Sequence, residues 1–191
     1  MKRFAIISAL FALAAPLALA QTSTWVSDPN HTEVDFSITH LTISYVHGRF
    51  GGVNATLVLD PADISKSTVN ATIDVSTIDT GVDARNTHLK SADFFDVAHY
   101  STATFTSTSV TKTAFGPSVT GNLTIHGVTH PVTLMVEGPN GPVEGMDHKQ
   151  HAGYSAITTI SRSAFGIGSK FPASMVGDDV KLTLDLDVAR Q

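Results

Sequence analysis

Nine histidines offer the widest chemistry in this chain, because an imidazole can bind a metal ion or transfer a proton near neutral pH. A β-strand presents two imidazoles on one face through the spacing His-x-His, and no such pair occurs in the sequence. The spacing therefore predicts hydrogen-bonded or solvated histidines and no metal site. A metal-dependent activity that uses His31 or His40 stays open as the alternative. The full set is His31, His40, His47, His88, His99, His126, His130, His148 and His151.

Nucleophilic catalysis finds no support in the sequence. The chain contains no cysteine, and no Gly-x-Ser-x-Gly segment is present to hold a serine on a strained turn. The paired acids Asp178 and Asp179 are typical of a turn or a helix cap. The glycines of residues 48–52 do not precede a helix, as a phosphate-binding loop requires. We therefore expect a protein that is not an enzyme and needs no cofactor.

Arg162 ends a predicted strand, residues 154–162, in which both faces mix apolar and polar side chains. If the side chain points inward, its guanidinium can bind an anionic or carbonyl head group of a ligand. If it points outward, it pairs with an acid on the surface. The alternation does not decide between these two interpretations.

The elements that position these residues are strands, because apolar and polar residues alternate along most of the chain. The pattern predicts about eight antiparallel strands, the number that closes a small β-barrel. A two-sheet sandwich fits the same pattern and stays open. The predicted strands are residues 33–41, 54–60, 67–75, 102–110, 119–125, 132–136, 154–162 and 180–188, and residues 43–51 are a further candidate.

Three connections interrupt the alternation. Residues 83–91 predict one short helix, placed as a cap over a barrel mouth or beside it. Residues 126–131 predict the turn of a hairpin. The glycine- and proline-rich tract 138–142 and the polar residues up to His151 predict a surface loop.

The first twenty residues have the three parts of a secretory signal peptide. Lys2 and Arg3 precede an apolar stretch, and Ala18-Leu19-Ala20 provides the small residues of a cleavage site. We therefore expect residues 1–20 to be removed and residues 21–191 to form one exported domain without stable membrane insertion. The net charge of −5, without a basic run, argues against nucleic acid as a partner. A homodimer is compatible with the sequence.

Five segments, in this order, resemble the YceI-like family. The resemblance covers about Trp25 to Val188, essentially the whole chain after the predicted signal peptide. Two departures are small: Thr32 follows His31 where the family usually has serine, and Ser163 follows Arg162 where an acid is common. The matching segments are Asp28–Leu41, Val46–Phe50, Arg85–Asp96, Gly121–Val132 and Arg162–Ile167 followed by Val176–Val180.

The resemblance implies an extended, lipocalin-like antiparallel barrel with an elongated internal cavity. Family members are typically periplasmic, and some hold a polyisoprenoid such as a polyprenyl chain or a quinone tail. It therefore implies a lipid-binding protein for carriage, storage or envelope stress protection, with no agreed enzymatic activity. A filled barrel that acts as an envelope interaction protein is a further alternative.

We predict that the ligand contacts apolar side chains that share the inner face of the strands. Phe94 and Phe95 are expected to close one mouth of the barrel. Ala55, Ala71 and Ala103 stand beside larger residues, which indicates room inside. The predicted cavity lining is Val34, Phe36, Ile38, His40, Leu57, Leu59, Val69, Ile73, Val75, Phe94, Phe95, Phe105, Leu123, Ile125 and Arg162.

Overall fold

A computed structural model describes residues 21–191, which form ten strands and one α-helix. The predicted signal peptide, residues 1–20, lies outside the described residues. Within residues 21–191, no helix has the length and apolar character needed to cross a bilayer. Helix α1 spans Asp83–Lys90, and the strands are β1 (Ser23–Ser27), β2 (Glu33–His40), β3 (Ser44–Phe50), β4 (Val53–Leu59), β5 (Thr68–Asp74), β6 (Thr102–Thr113), β7 (Gly116–Ile125), β8 (Val128–Glu144), β9 (Gln150–Ser161) and β10 (Val176–Arg190).

The strands close into an antiparallel barrel of eight positions, which confirms the predicted fold class and excludes the sandwich. The order around the barrel is β1, β4, β5, β6, β7, β8, β9 and β10, and β10 pairs with β1 to complete the ring. Closure leaves few free strand edges, which limits aggregation of such long threonine-rich strands.

Strands β2 and β3 lengthen the barrel at one end. β10 pairs with β2 over residues 176–185 and with β1 over residues 188–190, so β1 and β2 are two halves of one long strand. In the same way β3 and β4 are two halves of the next strand, separated by Gly51 and Gly52. Gly52 has a φ of +60°, which glycine adopts at little cost. The edge of β3 that does not pair with β2 meets residue 79, through two backbone hydrogen bonds between Arg49 and Asp79 of 2.8 and 3.0 Å.

The alternation along each strand decides which side chains point into the barrel. In β10, Val180, Leu182 and Leu184 face the interior, whereas Lys181 and Asp185 are exposed. The outer face carries cross-strand threonine pairs on β7 and β8, including a 2.8 Å contact between the hydroxyls of Thr124 and Thr129. The barrel wall is therefore apolar inside and polar outside, as the alternation predicts, and threonine hydroxyls contribute to its outer face.

Three features of the strands differ from the sequence-based expectations. Strand β1 was not predicted, because five residues are too few to show a clear alternation. The turn between β7 and β8 contains only His126 and Gly127, both with positive φ, as a two-residue hairpin requires. The predicted loop at 138–151 is wrong over its first half, because β8 continues through the glycine–proline tract to Glu144. The register of β8 against β9 shifts twice there, and these irregular positions accommodate the prolines.

Helix α1 is confirmed within one residue of the predicted range. Asp83 lies in its first turn and Lys90 in its last, as the helix dipole favours. The Asn86 side-chain oxygen accepts hydrogen bonds from the backbone N–H and the hydroxyl of Thr80, at 2.8 and 2.7 Å. These bonds hold the helix against Thr80, in the segment that connects residue 79 to α1.

Candidate ligand-binding cavity

The barrel interior contains two adjoining cavities, which we call the narrow cavity and the wide cavity. Their volumes are about 330 Å³ and about 770 Å³, both within the usual range for small-molecule sites. The two cavities share the side chains of Val34, Ile73, Leu123 and Leu182. These four residues define a waist where one cavity ends and the other begins.

The narrow cavity is lined by five phenylalanines. Phe36 and Phe50 lie 5.5 Å apart between ring centroids, and Phe95 meets Phe50 edge-on at 5.6 Å. Phe94 stacks on Phe171 at 4.9 Å with an angle of 12° between the rings. Large rings therefore occupy space that smaller side chains would leave open.

Two chain segments form a lid over the narrow cavity. The first is residues 83–95, which include α1, and the second is residues 163–175. Two contacts connect the segments: the ring of Phe94 stacks on that of Phe171, and Lys170 forms an ion pair with Asp93. Hydrogen bonds from Lys170 and His88 hold the pKa of Asp93 below its usual value, so the carboxylate stays charged at neutral pH.

Arg162 anchors the second lid segment from inside the protein. Its side chain is 5% exposed, and no carboxylate pairs with it in the described part of the chain. All five N–H groups donate to backbone carbonyl oxygens at 2.7 to 2.9 Å. The acceptors belong to Ile167, Gly168, Phe171, Val176 and Gly177.

The side chain of Arg162 therefore points inward, and neither interpretation of this residue describes its polar contacts. It does not pair with a surface acid. Its aliphatic and guanidinium atoms contribute to the cavity wall, but the five carbonyls use every donor, so none is left for a ligand head group. Gly168 lies beside it with a φ of +64°, and a Cβ there would approach the ring of Phe94 to 2.8 Å. Arginine and glycine together allow this segment to fold tightly over the cavity.

Small side chains line the wide cavity. Ala55, Ala71, Ala152 and Ala156 belong to its wall, whereas Ala103 is the corresponding residue of the narrow cavity. Replacing a large side chain by alanine on a barrel wall of fixed radius leaves a void, because the closed backbone cannot collapse. The indication of room from Ala55 and Ala71 therefore agrees with the larger volume found here.

Polar groups are few in the wide cavity and lie among apolar residues. The phenol of Tyr154 faces it, and burial raises the pKa of Tyr154 above its usual value. Asp60, Ser67 and Lys112 also contribute to the wall. Asp60 and Ser67 come from the β4–β5 connection and Lys112 from the end of β6, and the prolines of the β8 tract line the same cavity.

The structure places all fifteen predicted lining residues on the walls of these two cavities. Contact of these residues with a ligand remains a prediction. Val34, Ile73 and Leu123 belong to the waist, and Leu57, Leu59, Val69 and Phe105 belong to the wide cavity. The narrow cavity includes Phe36, Ile38, His40, Val75, Phe94, Phe95, Ile125 and Arg162.

Several wall residues were missed by the sequence-based selection. Leu184 and Leu186 continue the alternation of β10, so the same rule that selected Val34 and Phe36 could have found them. Trp25 lies on the unpredicted strand β1. Phe171 lies in an irregular segment, where no periodicity indicates which way a side chain points.

The two histidines of the metal-enzyme alternative are not brought together. His40 ends β2, and His31 lies just before this strand begins. An eight-residue strand spans roughly 26 Å, so one metal ion cannot bind both side chains. His126 and His130 lie near the carbonyls of Phe165 and Ala164 at 3.2 and 3.0 Å, as hydrogen-bonded histidines do.

Comparison with known proteins gives a consistent family signal. The family described as YceI-like domain matches residues 25–188. The chain is 38% identical over 166 residues to Protein YceI of Salmonella newport, which covers 84% of this chain and 83% of that protein. The crystal structure of a Campylobacter jejuni YceI protein is 30% identical, with a TM-score of 0.70, and covers 81% of this chain and 90% of that chain.

A third protein shares the fold at lower sequence similarity. It is a polyisoprenoid binding domain from Saccharophagus degradans, implicated in plant cell wall breakdown. The identity is 17% and the TM-score is 0.63, over 87% of this chain and 98% of that chain. At this identity the likeness concerns the barrel itself.

Proposed function

Because the chain belongs to the YceI-like family, we propose that it binds one long isoprenoid-type lipid, such as a polyprenyl chain or a quinone tail, inside its barrel. The observation that carries this proposal is the pair of apolar cavities that meet at a common waist. Together they offer an elongated space along the barrel, whereas a compact ligand would need only one of them. A filled barrel would have no such space.

The energy available from these walls is sufficient for binding without any ionic contact. Burial of about ten methylene-sized groups, at about 0.8 kcal/mol each, provides roughly 8 kcal/mol before the cost of ordering the chain. Before that cost is subtracted, this free energy corresponds to a dissociation constant near micromolar. A polyprenyl chain has many such groups, so occupation of both cavities increases the affinity further.

The chemistry of the walls favours a hydrocarbon over a polar ligand. Most side chains that bound the narrow cavity are phenylalanine or aliphatic, and the guanidinium of Arg162 is fully engaged by carbonyls; Thr39, His40, Arg85 and His88 are the other polar residues of its wall. The Saccharophagus degradans domain, named for polyisoprenoid binding, has the same fold, which supports this ligand class.

We place the protein in the periplasm, where such a barrel would carry or store a lipid or protect the envelope under stress. This part of the proposal rests on residues 1–20 and their resemblance to a signal peptide. N-terminal sequencing of protein released from the periplasm should begin at Gln21. Recovery of the intact chain from the cytoplasm would contradict it.

Native mass spectrometry of protein purified from its own host tests the ligand directly. We expect a population that carries one lipid, whose mass after extraction corresponds to an isoprenoid chain. Protein unfolded and refolded without lipid should then take up a supplied polyprenol at one molecule per chain. Protein that carries no lipid and takes up none would contradict the proposal.

A further inference from the structure

A cluster of histidine and aspartate side chains lies where the chain passes from β1 to β2, away from both cavities. It consists of Asp28, His31 and Asp187, and it was not predicted from the sequence. One ligand atom from each, two carboxylate oxygens and a ring nitrogen, lie within 4.8 Å of one another. The Nδ1 atom of His31 is 2.9 Å from a carboxylate oxygen of Asp28. Residues far apart in the sequence are thus brought together by the pairing of this turn with β10.

Backbone contacts fix the positions of these residues relative to one another. The N–H of Asp28 donates to the carbonyl of Asp187 at 2.8 Å. The hydroxyl of Thr32 donates to the same carbonyl and accepts from the N–H of Asp187, each at 3.2 Å. Thr32 is 4% exposed, so this connection is shielded from water. A ligand set held in this way needs little additional ordering to bind an ion.

His151 contacts the carboxylate of Asp187 and helps to orient it. Its Nδ1 atom is 2.7 Å from Asp187 Oδ1, and its Nε2 atom is 3.1 Å from a carboxylate oxygen of Asp147. Such a second layer of hydrogen bonds is characteristic of metal sites, where it holds a ligating carboxylate or imidazole in place.

The charges of the cluster also favour a cation. Asp28, Asp147 and Asp187 lie close together, and in residues 21–191 every ion pair found for these three carboxylates is with a histidine. No lysine or arginine of the described chain pairs with them. A divalent ion would compensate this negative charge more fully than a histidine can.

We propose that Asp28, His31 and Asp187 bind a divalent transition-metal ion of the zinc type on the outside of the barrel. Imidazole nitrogen and carboxylate oxygen are ordinary zinc ligands, at about 2.0–2.2 Å. Ligand atoms of a tetrahedral site at these distances are roughly 3.4 Å apart, so small side-chain rotations bring the three donors into range. Water completes the coordination, and the ion ties the turn between β1 and β2 to β10. This inference does not depend on the proposed lipid function.

The chain contains a matched control for this site. Asp96 and His99 have the same Asp-x-x-His spacing, with a 2.9 Å contact between His99 Nδ1 and a carboxylate oxygen of Asp96. The side-chain exposures also match, at 74% for His99 and 69% for His31. Only the pair at Asp28 and His31 has a third ligand, Asp187, within reach. The two pairs therefore differ in whether a third ligand, Asp187, is within reach.

The experiment uses the chain from residue 21 without an affinity tag, because a histidine tag would itself bind the ion. Zn²⁺ is titrated against a chromophoric chelator, and Co²⁺ is added separately to observe its visible absorption bands. We expect one ion per chain. His31→Ala and Asp187→Asn should each weaken binding at least about tenfold, whereas His99→Ala should leave it unchanged. His151→Gln should also weaken binding, through the lost orientation of Asp187.

His31 is exposed, so its replacement tests the site without endangering the fold. Circular dichroism of each variant establishes that the barrel has formed. Absence of stoichiometric binding to the parent protein would overturn the proposal. Binding that survives His31→Ala, or that is lost equally in His99→Ala, would overturn it as well, because the ion would then lie elsewhere.

Discussion

The narrow and wide cavities lie within one barrel, yet their walls are built from side chains of different size. Five phenylalanines contribute to the narrow cavity, of about 330 Å³, and five alanines, four of them on strands, to the wide cavity, of about 770 Å³. Phe36 and Phe50 belong to strands, whereas Phe94, Phe95 and Phe171 belong to the lid. The comparison teaches that side-chain volume, from the strands and from the lid, divides the interior into two regions.

The two regions also differ in what encloses them. A lid made of residues 83–95 and 163–175 covers the narrow cavity, and Arg162 ties the second part of this lid to β10 through three carbonyls of the lid and two of β10. The wide cavity is enclosed by strands and by the connection between β4 and β5. The narrow cavity therefore depends on a few specific long-range contacts, whereas the wide cavity depends on regular strand pairing.

The largest expected effect comes from removing the anchor of the lid. Arg162→Lys replaces five fixed donors by three, so at least two buried carbonyls lose their partner. At about 1.5–3 kcal/mol for each charge-assisted bond, we expect the free energy of unfolding to fall by about 3–6 kcal/mol. Urea unfolding followed by circular dichroism measures the change.

Arg49→Lys is the control for that substitution. Arg49 is 59% exposed and pairs with Glu33 at 3.5 Å, so the free energy of unfolding should change by less than about 0.5 kcal/mol. A loss below about 1 kcal/mol for Arg162→Lys would show that the carbonyls find water or other donors, and that the lid does not depend on this residue.

The second effect concerns the wide cavity. Ala71→Phe would place a ring in the space where we propose that part of the lipid lies. Displacement of about three methylene-sized groups costs about 2 kcal/mol of binding free energy, or roughly thirtyfold in Kd. Titration with a long polyprenol measures this loss.

Thr72→Phe is the matched control, because Thr72 is the next residue of β5 and faces the solvent. It adds the same ring to the outer surface, and the Kd should stay within about twofold of the parent value. Equal losses in both variants would indicate that the wide cavity does not hold the ligand.

The third prediction tests whether the lid slows the release of the ligand. Phe94→Leu removes the stack on Phe171, which contributes about 1 kcal/mol beyond the area that it buries. We expect faster dissociation of the lipid and a slightly lower stability, measured by stopped-flow fluorescence and urea unfolding. Phe115→Leu, at a side chain that is 86% exposed in the β6–β7 turn, should change neither. An unchanged dissociation rate in Phe94→Leu would indicate that the lipid leaves through the other end.

The smallest effect is a change in the ionisation of one phenol. Burial raises the pKa of Tyr154, so the folded protein keeps this proton at a pH where the unfolded chain loses it. Stability is therefore unaffected below pH 10, the usual pKa of tyrosine, and falls as pH rises from there towards the folded-state value. Spectrophotometric titration should show that Tyr154 ionises above pH 10, and this transition should be absent in Tyr154→Phe.

A lipid in the wide cavity should delay the ionisation of Tyr154 further, because it excludes the remaining water. The spectrum of Tyr154→Phe provides the reference, because it lacks the Tyr154 signal. If Tyr154 titrates identically with and without lipid, the ligand does not lie beside it.

Much of the barrel and of its walls follows from alternation alone. Val34, Phe36 and Ile38 could be assigned to the interior because every second residue of a strand shares a face. The length of β8 could not be assigned in this way, because glycine and proline at 138–142 are typical of loops and only pairing with β9 keeps them in a strand. Phe171 was missed for a related reason, because it lies outside the strands, where side chains do not alternate between two faces.

The amino-acid order by itself determined which side chains are apolar and where they alternate, whereas the β1–β10 pairing that closes the barrel was decided by the structure. Tertiary structure alone decided that Arg162 binds five carbonyls, that Phe94 stacks on Phe171, and that Asp28, His31 and Asp187 meet. The physical reason is one of distance. Alternation acts between neighbours along the chain, whereas these contacts join residues whose separation is set only when the barrel has closed.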